Sequence, residues 1–151
     1  MKAFLEKAWA GKVTEDDKMG PYPHPKPIDA ANYDNGKLIL AEQAQVIKGW
    51  QSIENWKPDD GEGTRQNYVN VPMLIGQEMG NLLKFQFNGN AVGIAVTAGP
   101  DAGVIEFRID EGDWQKQDLF TKRSVNLHLP WYFTLAAGLP DGEHTLQIRI
   151  T

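Results

Sequence analysis

The chain has 151 residues, with fifteen basic and twenty acidic side chains and a formal net charge of -5; that is one domain's length, enough to bury about 70% of the unfolded surface without a metal or disulfide staple. With 41% hydrophobic and 23% charged residues it is not a disordered or low-complexity chain, and its acidic balance argues against a nucleic-acid partner, since phosphates repel it unless the cations cluster. The absence of cysteine excludes disulfides, thiolate zinc sites and cysteine nucleophiles, and no apolar run approaches the ~18 residues of a membrane-spanning helix.

The pattern changes near residue 37. Lys2 to Ala10 reads as a helix, because Phe4, Leu5, Ala8 and Trp9 share one face and Gly11 offers a stop. The segment carries Lys2, Glu6 and Lys7 and lacks the apolar stretch of a signal peptide. Residues 13–35 read as a connector. Within it Pro21, Pro23, Pro25 and Pro27 alternate, which fixes φ and holds the intervening residues extended. The result is a stiff strap of about 3 Å per residue. A strap of this kind serves as a rigid spacer more often than as a docking peptide.

From Lys37 the period becomes two. The expected strands are Lys37–Leu40, Gln45–Trp50, Val71–Ile75, Leu82–Phe87, Val92–Thr97, Val104–Ile109, Trp114–Leu119, Trp131–Leu135 and His144–Ile150. In the fourth, Leu83, Phe85 and Phe87 alternate with Lys84 and Gln86, as a half-buried strand requires. Turn clusters separate the strands: Asn88-Gly89-Asn90, Gly99-Pro-Asp-Ala-Gly103, Asp110-Glu-Gly-Asp113 and Leu139-Pro-Asp-Gly142. Short, evenly spaced strands with no long helix between them predict a mainly β fold. Its form is an antiparallel β-sandwich or jelly roll, preceded by a short N-terminal helix and a proline-rich strap.

Residues 89–150 add a resemblance. The segments are Gly89-Asn-Ala-Val-Gly-Ile-Ala-Val-Thr-Ala-Gly-Pro-Asp-Ala-Gly103, Ile105-Glu-Phe-Arg-Ile-Asp110, Asp118-Leu-Phe120, Leu127-His-Leu-Pro-Trp-Tyr132 and Gly142-Glu-His-Thr-Leu146. Together with Asn55-Trp-Lys-Pro58, Gly63-Thr-Arg65 and Val71-Pro-Met-Leu74 they resemble the β-sandwich accessory domain at the C-terminus of bacterial SGNH/GDSL-type hydrolases. Phe4-Leu-Glu-Lys-Ala-Trp9 resembles the last helix of the hydrolase domain itself. The resemblance implies two parts: residues 1–36, a terminal hydrolase helix plus linker, and residues 37–151, the accessory sandwich. It also implies a parent ester hydrolase, periplasmic or secreted and active on acylated carbohydrate, whose catalytic domain is the partner of this chain.

Catalysis does not carry over. The family's Gly-Asp-Ser nucleophile block is missing; the one Gly-Asp step, Gly112-Asp113, is followed by Trp114. Asp141-Gly-Glu-His144 has the Asp-x-x-His spacing of the family's acid–base pair, but a Pro-Asp-Gly turn accounts for it without catalysis. Ser52 and Ser124 sit in strand or loop context rather than on an elbow. Asp59-Asp-Gly-Glu62 is acidic enough to attract calcium, yet lacks EF-hand spacing and reads as a solvated turn, so no cofactor and no metal ligands are assigned.

The residues expected to meet a ligand or the missing domain are Trp56, Arg65, His128, Trp131 and Tyr132. Sugar C–H faces stack on aromatic rings while hydroxyls need polar neighbours, and Trp56 has Asp59, Arg65 and Asn67 nearby in sequence. The bland alternative is that these rings are core, each burying about 150–250 Å², and that His128 is a hydrogen-bonded strand-end histidine. The expected function is a non-catalytic domain supporting an SGNH-type esterase, with a carbohydrate-binding module as the alternative.

Overall fold

The computed structural model describes residues 2–11, 23–29 and 32–151, without the side chains of residues 4, 7 and 8. The chain divides into two units, Met1–Asn35 and Gly36–Thr151. In the first, helix α1 spans Lys2–Trp9. Its exposed Lys2 and Glu6 sit 3.9 Å apart, one turn from each other, and Trp9 is 81% exposed. Eight residues are too few for a helix to persist unaided. Residues 23–27 are exposed and neither helical nor paired, in keeping with the alternating prolines. The rest of the expected connector, residues 13–22, and residues 30–31 lie outside the described residues.

The second unit holds ten strands: β1 Gln45–Lys48, β2 Gln51–Trp56, β3 Gly63–Thr64, β4 Val71–Ile75, β5 Leu82–Asn88, β6 Ala91–Ala98, β7 Val104–Ile109, β8 Gln115–Asp118, β9 Leu127–Ala137 and β10 Glu143–Ile150. One sheet has the order β1-β5-β10-β7-β8, a second β3-β9-β6, and β2 pairs with β4. All pairings are antiparallel except the two-residue contact of β3 with β9.

A period of two decides which side chains are enclosed. Register places Ile148 opposite both Leu83 and Phe107, and Leu146 opposite Phe85 and Ile109. Leu83, Phe87, Ile105, Phe107, Leu146 and Ile148 thereby line one face, and Leu135 joins them from β9, with Val92, Ile94 and Phe133 packed against the cluster. Two sheets meeting across one apolar layer make the expected β-sandwich.

The outer face of the larger sheet is charged. Arg108 donates to Gln147 at 3.0 Å and Arg149 Nε to Glu106 at 2.7 Å. The Trp114 ring lies against both guanidinium groups, 4.8 Å from Arg108 Cζ and 4.1 Å from Arg149 Cζ, each a cation–π contact.

Several element boundaries differ from those expected. Lys37–Leu40 forms no strand; a 3-10 turn over Ala41–Gln43 follows it. The 45–50 strand stops at Lys48, because Gly49 has φ 74° and redirects the chain into β2. Strand β2 itself was not expected. Its Gln-Ser-Ile-Glu-Asn-Trp sequence is nearly all exposed, so pairing with β4 rather than burial holds it. Strand β9 starts at Leu127, four residues before the expected Trp131. Pro130 interrupts the sequence signal, but β3 reaches only as far as His128. Beyond that point β9 is an edge on that side, where proline is tolerated.

Phe107 is 4% exposed, whereas Phe85 is only half-buried. Phe107→Ala is expected to cost about 3–5 kcal/mol in urea unfolding, and Phe85→Ala distinctly less; equal losses would contradict this registry.

Candidate functional site

The site with the most chemistry surrounds His128, the second residue of β9. Antiparallel pairing of β9 with β6 sets Leu129 opposite Ala98, the last residue of β6. The turn that follows, closed by Ala102 N–H to Gly99 O at 3.1 Å, carries Asp101. On the other side β3 runs parallel to β9, with Thr64 opposite His128, and Arg65 N–H donates to the His128 carbonyl at 3.0 Å. That pairing draws the loop between Trp56 and Gly63 onto the histidine.

Within that loop Glu62 N–H donates to Asp60 Oδ1 at 3.0 Å, an Asx turn that aims the other oxygen. Asp60 Oδ2 stands 2.8 Å from His128 Nε2. The Glu62 amide first, and the His128 hydrogen bond second, hold the Asp60 carboxyl below its ordinary range. Trp56 packs edge-on against the imidazole, with centroids 5.6 Å apart and planes at 69°. His128 is 1% exposed. Its Nδ1 has no hydrogen-bond partner among the described residues, though Asp101 Oδ1 lies 3.5 Å away.

Of the five residues expected to form a site, Trp56, Arg65 and His128 come together, Arg65 through its backbone. Trp131 and Tyr132 part company. Neighbours on a strand point to opposite faces, so Trp131, opposite Val96, lies half-buried on the side of Leu129 and Phe133. Tyr132, opposite Ala95, is 69% exposed on the side of His128. The two rings therefore do not form one platform. Asp60 and Asp101, which sequence reasoning treated as turn residues, are the groups that meet the histidine. Their one advance signal was a carboxylate in a Gly-containing turn, which many surface turns share.

A second histidine site lies at the other end of the sandwich. His144 Nδ1 is 2.9 Å from Asp110 Oδ2, and Nε2 is 2.8 Å from the Pro140 carbonyl. Asp110 Oδ1 also accepts from Thr145 N–H at 2.9 Å. The carboxylate beside His144 is thus Asp110, not the Asp141 that the Asp-x-x-His spacing offers. Both ring nitrogens face acceptors. The Pro140 carbonyl, and then Asp110, push the imidazole above its ordinary value, and His144 in turn depresses Asp110. No serine completes either group. Ser124 gives its hydroxyl to Thr121 O at 2.9 Å, and Ser52 lies in a groove lined by Leu40, Ala41, Glu42, Pro72, Met73 and Leu74.

Two outcomes follow from these distances. A Cβ at Gly99 would lie 2.2 Å from His128 Nδ1 and 2.5 Å from Asp101 Oδ1, so Gly99→Ala is expected to lower stability by about 1–3 kcal/mol in thermal or urea unfolding. The raised His144 contributes its full stabilisation below about pH 6.5 and loses it as pH rises through the folded-state value. The depressed Asp110 contributes above the ordinary carboxylate range and loses its share as acid titrates it. The stability difference between the wild-type chain and Asp110→Asn should therefore be largest near pH 5–6 and shrink by pH 8.5.

No protein-family model matches the chain, and no curated protein matches it. Among solved structures it is similar to a two-domain esterase (CEX) active on acetylated mannans, with a TM-score of 0.62 and 16% identity over 99% of this chain and 39% of that one. A structure of a two-domain esterase (CEX) active on acetylated mannans, co-crystallized with mannopentaose, gives a TM-score of 0.52 and 11% identity over 99% and 38%. The chain thus spans about two-fifths of the length of these proteins. At such identities the likeness is one of fold: a β-sandwich matched by part of a two-domain esterase.

Proposed function

We propose that this chain is the non-catalytic accessory sandwich of an ester hydrolase of the SGNH/GDSL type, packing on and supporting its catalytic domain. In this reading residues 1–36 are the closing helix of that domain and its linker, and residues 37–151 are the accessory domain. The observation that carries the proposal is the coverage: nearly all of this chain superposes on two-fifths of an esterase that has two domains. The serines support it, since Ser124 is committed to Thr121 and Ser52 has no histidine among its groove neighbours. So do the exposed apolar side chains between residues 38 and 53, namely Leu38, Ile39, Leu40, Val46, Ile47 and Ile53. Apolar surface of this kind marks contact surfaces.

A second reading, carbohydrate binding, is favoured by Tyr132. Its exposed ring stands opposite Ala95, with Gly93 opposite Thr134 further along the same face. Small residues beside an open ring leave room for a sugar to stack. The solved neighbour that contains mannopentaose makes mannan the first glycan to try.

The experiment is an ester hydrolysis assay on the chain alone, with acetylated mannan and a simple aryl acetate. The expected outcome is no turnover above buffer; hydrolysis that disappears in His144→Ala would overturn the accessory reading. In the same preparation, retardation on a mannan affinity gel that Tyr132→Ala abolishes would establish the second reading, and no retardation would remove it.

A further inference from the structure

The accessory reading leaves His128 unused. Its ring is 1% exposed, its Nε2 is bonded to Asp60 at 2.8 Å, and its Nδ1 is a buried polar atom with no partner among the described residues. That atom faces Asp101 Oδ1 across 3.5 Å, too far for a good hydrogen bond. When Nε2–H donates to Asp60, Nδ1 presents a lone pair to a carboxylate oxygen. Two acceptors facing one another at this range repel unless a cation lies between them.

We propose that His128 Nδ1 and Asp101 Oδ1 are two ligands of a divalent-cation site, with Asp60 as the carboxylate that orients the ring from behind. Three independent features fit. Ligands about 2.0–2.2 Å from a tetrahedral zinc ion stand about 3.3–3.5 Å apart, the separation found here. A metal-bound histidine commonly donates its other N–H to a carboxylate, which fixes tautomer and ring direction, and Asp60 is placed to accept it. Finally, only a glycine at position 99 lets the backbone pass this close to both atoms, since a Cβ there would come within 2.2 Å of one and 2.5 Å of the other.

The carboxylates of Asp60 and Asp101 and the imidazole of His128 also form one group whose donor atoms lie within 4.8 Å of each other. An imidazole nitrogen with a carboxylate oxygen suits a borderline d-block ion such as zinc; calcium and magnesium prefer oxygen alone. Asp101 is 65% exposed, so water can reach the ion and fill its remaining positions. The ion would tie the turn after β6 to the start of β9.

The test uses the full chain, stripped with EDTA and dialysed, titrated with zinc chloride by calorimetry and followed by thermal unfolding. The expected result is one zinc per chain with a raised Tm. Asp101→Asn, whose exposed side chain can change without repacking the core, should weaken binding about 10-fold or more, while His144→Asn leaves it unchanged. Absence of heat and of a Tm shift would overturn the proposal. Zinc binding that survives Asp101→Asn would overturn it equally, by locating the ion elsewhere.

Discussion

The constraint on which the rest depends is the two-sidedness of β9. From Leu127 to Thr134 successive residues alternate between two environments, until a break in register opposite Val92 and Gly93 interrupts the pairing. Phe133 and Leu135 join the cluster that closes the sandwich, while His128 and Tyr132 point the other way. A slip of one residue would exchange the two sets, placing an imidazole among leucines and phenylalanines and leaving those rings in water. The pairing of β9 with β6, which sets Phe133 opposite Ile94 and Tyr132 opposite Ala95, fixes which set is displayed.

That face is built from segments distant in sequence. A loop that starts some seventy residues earlier is drawn in by two residues of parallel pairing, and the turn after β6 comes in from the other flank. The polar cluster thus sits where two connections converge on a rigid strand, an arrangement that holds side chains more firmly than a free loop does. The two histidine sites differ accordingly. His144 is fixed by acceptors on both nitrogens and staples the start of β10 to the end of β7. His128 is fixed on one side alone.

Much of the sheet architecture was legible, because alternation of large apolar and polar side chains is a direct image of a half-buried strand. Strands β4 to β7 and β10 fell within a residue or two of their expected bounds for that reason. Strands β2 and β3 carry almost no apolar signal, being held by backbone pairing at an exposed surface, so nothing in their composition marks them. The site was only half legible. Trp56 and His128 stand out as residue types, but Asp60 and Asp101 are indistinguishable from ordinary turn carboxylates until the fold brings them to the same ring. The pairing of His144 with Asp110 shows the same limit. Sequence spacing proposed the near carboxylate, Asp141, and cross-strand geometry selected one 34 residues away.

Among the described residues the larger sheet ends in two open margins, β1 and β8. Unpaired backbone along such a margin is a template for a foreign strand. The first is only four residues long, with a register break between Val46 and Lys48 that puts its donors and acceptors out of step. The second is equally short and carries Lys116 and Asp118. Ragged, charged borders of this kind give an arriving strand no regular ladder to extend, so the larger sheet is poorly disposed to grow sideways into a fibre through its own hydrogen bonds.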